Sequence, residues 1–323
     1  MTIKEAEKLK KTLVLRDIIV SAIKLGIKVE LFSKENNIYC FKYKDKVKYF
    51  KNTSSVFNVS LASKIATNKR LTQIALRNYG IKTARGYLID NEKDLKTFIK
   101  NKKIKFPIVI KPNKLMEGTG VCVNINNIKD GLEAINNIKK IKKAKEEKIL
   151  VENYFYGRDY RLLVLKNTVI AATERIHPSI IGDGKSTIEK LIKEEVNKRE
   201  KLKFDKEIER SIKDAGYKIK DRLEKGKILR IRQNANYSTG ALAKNVTDKI
   251  SPYFKKIVIK AIKALGLGIG GVDILTKDII ANKGDYIVVE INGCPNPDLH
   301  INPSIGKSIN VPMLIVKKMF NIK

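Results

Sequence analysis

The two segments that decide the fold lie near the end of the chain, at residues 270–275 (GGVDIL) and 286–292 (YIVVEIN). Each is a short apolar run rich in β-branched residues, which predicts a buried strand. Glu290 and Asn292 are two residues apart, so their side chains share one face, and Asp273 lies on the neighbouring run. Two carboxylates and an amide oxygen suit Mg²⁺, a cation that usually accompanies a nucleotide phosphate.

Length and composition indicate a soluble globular protein. Its 323 residues allow one large domain or two to three smaller ones, and 43% hydrophobic with 31% charged residues is ordinary for that class. No apolar stretch approaches the roughly 20 residues of a membrane-spanning helix, and the polar start (MTIKEAEKLKK) has no signal-peptide core. The 3 cysteines form no CxxC pair, which fits a reducing compartment. We therefore expect a cytoplasmic protein without a membrane partner.

The formal net charge of +33 raises the question of nucleic-acid binding. However, the 67 Lys and Arg residues are spread along the whole chain, often on predicted helix faces that also carry Glu. A basic surface without a defined arm or interleaved aromatic residues is more typical of a solvated face than of a nucleic-acid-reading surface. The charge pattern therefore disfavours a nucleic-acid partner, although it would attract anionic substrates.

Hydrophobic periodicity and turn residues predict a mixture of helices and hairpins. The predicted helices span residues 13–25, 67–79, 129–147, 254–265 and most of 187–224. Besides the two strands quoted above, the predicted strands lie at 27–32, 38–50 (a hairpin turning at Lys44-Asp45), 106–112, 121–125, 149–151 and 160–172. Because hairpins alternate with helices, the pattern favours an α+β fold over a doubly wound sheet.

A lysine followed by a glycine-containing loop marks a candidate phosphate site. Lys111 lies at the end of the predicted strand 106–112, and Gly118 and Gly120 follow in the loop. Glycines let backbone amides approach phosphate oxygens closely, and a lysine neutralises their charge. The spacing matches neither GxxxxGK[ST] nor GxGxxG, so it indicates neither a P-loop nor a Rossmann site. A plain hairpin turn stays open as the alternative.

In the next segment, residues 149–161 (ILVENYFYGRDYR), an apolar strand ends in an acid, aromatic residues, a glycine and a second acid. This order of elements resembles the ATP-grasp superfamily of carboxylate–amine ligases. The resemblance assigns adenine and ribose binding to Glu152, Asn153, Phe155 and Asp159. Residues 68–73 (NKRLTQ) are similar to the family's first phosphate element, with Lys69 as its lysine and Gln73 in place of its last lysine.

The same resemblance implies ATP and Mg²⁺ as cofactors, with Mn²⁺ as a substitute for the metal. It makes Lys111 the second phosphate lysine, turns the loop with Gly118 and Gly120 into a lid, and assigns the metal to Asp273, Glu290 and Asn292. The implied ATP-grasp fold has two α+β subdomains that clasp ATP, preceded by a short N-terminal α/β unit. We expect that unit at 1–65, the lid subdomain at 66–150, and the subdomain with the adenine hinge and the metal site at 151–323.

A narrower resemblance covers almost the whole chain. Residues 182–188 (GDGKSTI), 232–240 (RQNANYSTG) and 300–307 (HINPSIGK) are similar to signatures shared by cyanophycin synthetase and the C-terminal ligase module of bifunctional glutathione synthetases. The stretch 16–69 is more similar to the glutathione module. Residues 293–297 (GCPNP) match neither family's usual continuation, which leaves the amine acceptor undecided.

Ligases of this superfamily transfer the γ-phosphate of ATP to a carboxylate, and an amine then displaces the phosphate. Such chemistry needs charge neutralisation and alignment more than acid–base catalysis. With Lys111, Arg232 is the candidate catalytic residue, because a planar guanidinium suits a doubly charged phosphate in the tetrahedral state. Arg161, Arg175 and Asn234 are candidates for binding substrate, and each arginine has a plain alternative as an ion-pair partner.

The leading hypothesis is therefore an ATP-dependent ligase most like glutathione synthetase, which joins γ-glutamylcysteine to glycine. A cyanophycin-synthetase-like ligase, or another amino-acid or peptide ligase, is the alternative. A non-catalytic nucleotide- or nucleic-acid-binding protein is a more distant one. The expected partners are small amino-acid or peptide substrates, a separate glutamate–cysteine ligase acting upstream, and a second copy of the chain, since relatives pair.

Overall fold

The computed structural model describes residues 1–9, 13–53, 56–116, 118–199, 201–235 and 237–322. The chain divides into two compact units whose segments interleave along the sequence. The first unit comprises Met1–Thr83, Tyr160–Thr173 and Asn245–Lys323, and the second comprises Ala84–Asp159 and Glu174–Lys244. The three-part division expected at residues 65 and 150 stays a prediction.

The regular elements are as follows. The helices are α1 (Ile3–Glu7), α2 (Leu13–Lys24), α3 (Ser60–Thr67), α4 (Lys69–Asn78), α5 (Glu92–Lys100), α6 (Ile128–Lys140), α7 (Ile188–Lys198), α8 (Lys206–Asp214), α9 (Pro252–Ala264), α10 (Asp298–Ile301) and α11 (Val311–Phe320). The strands are β1 (Lys28–Ser33), β2 (Ile38–Tyr43), β3 (Lys46–Phe50), β4 (Gly86–Ile89), β5 (Ile108–Pro112), β6 (Cys122–Ile125), β7 (Ile149–Asn153), β8 (Arg158–Leu165), β9 (Thr168–Ile176), β10 (Ser179–Ile181), β11 (Ile228–Arg230), β12 (Leu242–Asn245), β13 (Ile269–Thr276) and β14 (Tyr286–Asn292). Within the described residues, no helix combines the length and the apolar composition needed to cross a bilayer.

The strands form separate sheets with the orders β1-β2-β3, β4-β7-β5-β6, β12-β9-β8-β13-β14 and β10-β11. The pairs β1–β2, β2–β3, β4–β7, β5–β7, β5–β6, β10–β11 and β13–β14 are antiparallel. Antiparallel hairpins mixed with helices are what the sequence predicts. The α+β fold class is therefore confirmed.

The N-terminal elements pack around an apolar core within the first unit. Helix α2 and the predicted hairpin β2–β3 contribute Ile18, Phe41 and Phe50, and α11 contributes Val316. The hairpin turns at the predicted position, where Lys44 adopts a positive φ of 53°. Tyr39, Phe41 and Phe50 share one face of this sheet, and all three are buried.

The second unit contains two apolar cores. One lies between the sheet β4-β7-β5-β6 and helices α5 and α6, and it includes Leu95, Ile110 and Ile135. The other joins α7 and α8 to the antiparallel pair of strands β10 and β11 through Ile192 and Ile208. Each helix has an apolar stripe that faces its own sheet, which explains why the two cores are distinct.

Three sequence predictions differ from the structure in length or continuity. The predicted strand 160–172 is a hairpin, because Lys166 adopts a φ of 54° and turns the chain between β8 and β9. The predicted helix 129–147 ends at Lys140 and is followed by a single 3₁₀ turn. Among the described residues of the predicted helical region 187–224, the helices are α7 and α8, and Gly216 turns the chain after α8 with a φ of 83°.

The strands that carry the predicted metal ligands are held at one end by the side chain of Asn58. Its Nδ2 donates to Ile269 O at 2.9 Å and to Gly293 O at 2.6 Å. Its Oδ1 accepts from Gly268 N at 2.8 Å and from Ile269 N at 2.9 Å. Gly268 is needed here because a Cβ would lie 2.4 Å from Phe57 O. One amide thus fixes the start of β13 and the residue that follows β14.

We predict that Asn58→Ala lowers the free energy of unfolding by about 2–4 kcal/mol, because four hydrogen bonds to backbone groups lose their partner. Chemical denaturation measures the change. Asn36→Ala is the matched control, since Asn36 donates only within an exposed turn to Ser33. Equal stability of the two variants would contradict the role given to Asn58.

Candidate functional site

The predicted metal ligands lie side by side on β13 and β14. Asp273 is the direct cross-strand neighbour of Glu290, and Gly271 is that of Asn292. Asn292 Nδ2 donates to Glu290 Oε1 at 3.2 Å. Asp273 is buried, whereas Glu290 and Asn292 are partly exposed. The structure therefore brings together the three side chains that the sequence analysis selected.

This set of donors fits a hard divalent cation. Two carboxylates and one amide supply only oxygen ligands, which is the preference of Mg²⁺. In the part of the chain that the structure describes, no group of three or more His, Cys, Asp or Glu side chains is arranged to hold a metal. The predicted set therefore includes an amide oxygen, that of Asn292, beside the two carboxylates.

An arginine lies against the same two acids. Arg161 of β8 donates from Nη2 to Asp273 Oδ2 at 2.7 Å and from Nε to Asp273 Oδ1. Its Nη2 is also 3.7 Å from Glu290 Oε1. The side chain of Arg161 is 12% exposed. The residue predicted to bind a substrate carboxylate is thus bound to a protein carboxylate.

The predicted phosphate lysine of the second unit forms a buried ion pair. Lys111 Nζ lies 2.7 Å from Glu152 Oε2, and both side chains are almost fully buried. They face each other because Lys111 and Glu152 lie on the paired strands β5 and β7. Removing one member of such a pair leaves a buried charge without compensation. Lys111 and Glu152, predicted to bind phosphate and adenine, are therefore also electrostatic partners.

The loop between β5 and β6 contains the two predicted lid glycines. Gly118 and Gly120 have φ values of 73° and 71°, a region that favours glycine. A Cβ on Gly120 would also lie 3.0 Å from Pro112 Cγ. The loop joins two antiparallel strands, so the hairpin geometry is present, and the contact of this loop with phosphate stays a prediction.

The remaining residues predicted to bind the nucleotide lie in both units. Lys69, in the first unit, is buried in the first turn of α4, whose N-terminus is capped by Asn68. In the second unit, Asn153 donates from its backbone to Arg85 O at 3.0 Å and from Nδ2 to Lys105 O at 3.2 Å. Phe155 is half-buried two residues further on.

The predicted ribose acid and one predicted substrate arginine bind each other. Arg175 donates from Nε and Nη2 to Asp159 Oδ1, at 2.9 and 2.7 Å. The neighbouring residues repeat this pattern, since Arg158 pairs with Glu174. Both pairs join β8 to β9. Their guanidinium groups are therefore oriented before any ligand arrives.

The candidate catalytic arginine is bound by acids that the sequence analysis did not select. Arg232 is buried, and it donates from Nη1 to Glu207 Oε2 at 2.5 Å and from Nη2 to Asp205. Asn234 Nδ2 donates to the other oxygen of Glu207 at 2.6 Å. Arg232 Nε is buried without a hydrogen-bond partner among the described residues. Burial raises the pKa of Glu207, and the charge of Arg232 opposes that increase.

The sequence gives only a local explanation for these two acids. Asp205 is the N-cap of α8, where its side chain accepts from Glu207 N and Ile208 N. An acid at an N-cap followed by a second acid in the first turn is a standard helix start. That local explanation hides the second role of both acids, which is to bind Arg232.

Residues 67–177 match the family model described as phosphoribosylglycinamide synthetase, ATP-grasp (A) domain. This range contains the candidate site residues between Lys69 and Arg175, including Lys111 and Glu152. The chain belongs to the ATP-grasp proteins. The predicted family and the predicted fold are thereby confirmed.

Two curated relatives extend the similarity of this ATP-grasp chain beyond that range. Cyanophycin synthetase of Crocosphaera subtropica is 32% identical over 280 residues, which cover 83% of this chain and 32% of the relative. The glutathione biosynthesis bifunctional protein GshAB of Clostridium perfringens is 30% identical over 322 residues, which cover 94% of this chain and 40% of the relative. The ATP-grasp chain thus spans about a third to two fifths of these relatives.

A solved structure supports the ATP-grasp fold. The crystal structure of a bifunctional glutathione synthetase from Pasteurella multocida has a TM-score of 0.67 and 23% sequence identity to this chain. The match covers 97% of this chain and 44% of that structure. The fold similarity therefore includes both compact units of the ATP-grasp chain.

A histidine near the paired arginines of the second unit is held neutral. Burial lowers the pKa of His177 from 6.5 to about 3, with further contributions from the charges of Arg230 and Arg175. At a pH below 6.5, His177 is protonated in the unfolded chain but stays neutral in the folded chain. His177 therefore destabilises the ATP-grasp fold as the pH falls through the window from 6.5 towards 3.

We predict that His177→Gln reduces the pH dependence of stability by about 1.4 kcal/mol per pH unit between about pH 6 and pH 4, because the variant has no imidazole to protonate. Urea denaturation of wild type and variant across this range measures the difference. Parallel curves of stability against pH would show that His177 titrates normally in the folded chain.

Proposed function

We propose that the chain is an ATP-dependent ligase that joins a carboxylate to an amine through an acyl phosphate. The proposal rests on one observation above all: Asp273, Glu290 and Asn292 form an oxygen-only cluster on β13 and β14 in a chain of the ATP-grasp family. ATP-grasp ligases use ATP and Mg²⁺, and this cluster supplies suitable ligands for the metal. Glutathione synthetase is the proposed model for the reaction.

In this proposal the side chains bind and align charge. Asp273, Glu290 and Asn292 hold Mg²⁺, or Mn²⁺ in its place, which neutralises phosphate charge when it is bound. Lys69 and Lys111 contact phosphate oxygens, and the loop of Gly118 and Gly120 covers the triphosphate. Excluding water in this way protects an acyl phosphate from hydrolysis.

The polar groups of the second unit are assigned to the base, the ribose and the substrates. Glu152, Asn153 and Phe155 are proposed to bind adenine, and Asp159 to bind ribose. Arg175 and Asn234 are proposed to bind substrate, together with Arg161 of the first unit. The ion pairs described above orient each guanidinium, so little reorganisation is needed when an anion binds.

Arg232 is proposed to stabilise the charge of the tetrahedral state. Its terminal nitrogens already bind Glu207 and Asp205, so its orientation is set by α8. Glu207 also binds Asn234, which links the proposed catalytic and substrate-binding residues through one carboxylate. The proposal therefore gives the start of α8 a positioning role.

The proposed substrates are γ-glutamylcysteine and glycine. The alignment with GshAB covers 94% of the chain, whereas that with cyanophycin synthetase covers 83%. The higher identity to cyanophycin synthetase, 32% against 30%, keeps an acidic peptide with an amino-acid acceptor as the second candidate. A cytoplasmic location, a separate glutamate–cysteine ligase and a homodimer belong to this proposal.

We predict that phosphate and ADP appear only when ATP, Mg²⁺ and both correct substrates are present, because the acyl phosphate needs an amine to turn over. The assay compares γ-glutamylcysteine with glycine against an aspartate-rich peptide with arginine. Glu290→Ala is expected to lower the rate at least about 100-fold, since metal coordination is lost.

Glu133→Ala is the matched control. Glu133 is an exposed acid on α6, and its substitution removes the same charge as Glu290→Ala. It is expected to keep the wild-type rate. Absence of ADP with every tested pair, or equal rates for Glu290→Ala and Glu133→Ala, would contradict the proposed function.

A further inference from the structure

Arg161 is placed against the proposed metal ligands by the local structure of two strands. Its guanidinium makes two hydrogen bonds to Asp273 and approaches Glu290. Gly271 makes room for its stem, because a Cβ at that position would lie 3.1 Å from Arg161 Cδ and 3.2 Å from Pro295 Cβ. The arginine thus crosses β13 beside a glycine and ends at the acidic pair.

The negative charges of Asp273 and Glu290 require a positive charge next to them, whether or not a metal is bound. The Asp273 side chain is 3% exposed and the Glu290 side chain 31% exposed, and the two are cross-strand neighbours. Two carboxylates so close repel each other, and burial of one of them adds a desolvation cost. Arg161 supplies a positive charge that offsets both effects.

The same oxygens are the proposed ligands of the divalent cation. Both oxygens of Asp273 accept hydrogen bonds from Arg161, so a metal at Asp273 takes the position of a guanidinium donor or lies beside a like charge. Either arrangement costs binding free energy, because cations at such short range repel strongly where water is largely excluded. Metal affinity at this site must therefore depend on Arg161.

We propose that Arg161 is a built-in counterion that competes with the divalent cation for Asp273 and Glu290. The inference rests on the proposed function, from which it takes the metal site. It adds that the affinity for metal is set below the value that the three oxygen ligands would give by themselves. It also gives Arg161 opposite effects on the two states: it stabilises the metal-free chain and weakens metal binding.

The test measures Mn²⁺ binding to the full-length, nucleotide-free chain by electron paramagnetic resonance of free Mn²⁺. Arg161→Gln is expected to bind Mn²⁺ about 10-fold more tightly than wild type, within the usual range of coupling between sites. Arg161→Lys is expected to lie between the two, because an ammonium keeps the charge but lacks the paired donors. Arg158→Gln, on the same strand, removes the same charge and is expected to leave Mn²⁺ affinity unchanged.

A thermal unfolding measurement accompanies the binding assay. Without metal, Arg161→Gln is expected to melt at a lower temperature than wild type, because Asp273 loses its counterion. Saturating Mn²⁺ is then expected to raise its melting temperature by more than that of wild type. A purely structural role for Arg161 would lower the melting temperature without tightening Mn²⁺ binding, and that result would overturn the inference.

Asp273→Asn separates this inference from the proposed function. If wild type and Arg161→Gln bind Mn²⁺ equally and Asp273→Asn weakens binding, the metal site stands and the competition by Arg161 is overturned. If neither wild type nor Arg161→Gln binds Mn²⁺ at any concentration tested, the metal site itself is overturned, and the proposed function with it.

Discussion

The first unit depends on the pairing of two acids across β13 and β14. Asp273 and Glu290 are direct neighbours, and Asp273 is buried, so the strands need a positive charge at that place. Arg161 supplies this charge. Asn58 holds the start of β13 and the end of β14 with four hydrogen bonds, which keeps the two acids in register. Backbone geometry and charge balance therefore support each other in this unit.

The second unit shows the same constraint in other residues. Lys111 pairs with Glu152, Arg175 with Asp159, and Arg232 with Glu207. A cation that already has a carboxylate partner is held in one orientation, and it can bind an anion with little rearrangement. A ligand with several negative charges would thus meet side chains that are held in place. When such a ligand binds, each cation must either bind the ligand and its carboxylate partner together or lose the contact with that carboxylate.

Sequence reasoning was accurate where a local pattern carries the information. The hairpin β2–β3, helix α9 and the strands β13 and β14 follow from hydrophobic periodicity and turn residues, and the closeness of Asp273, Glu290 and Asn292 follows from their positions on those strands. Their role as metal ligands stays a prediction. It was inaccurate at the β8–β9 turn, where Lys166 takes a left-handed conformation that lysine rarely adopts. It also did not find Asp205 and Glu207, whose local role at the start of α8 gives no sign of their contact with Arg232.

By itself, the sequence determined the ATP-grasp resemblance, the α+β class and the identity of Asp273, Glu290 and Asn292 as one group. These depend on residue types at short spacings along single elements. The tertiary structure alone decided which charge stands next to which: Arg161 at Asp273, Glu152 at Lys111, and Glu207 at Arg232. These residues are far apart in the sequence, and their electrostatic coupling exists only after the chain has buried them together, where water no longer screens their charges.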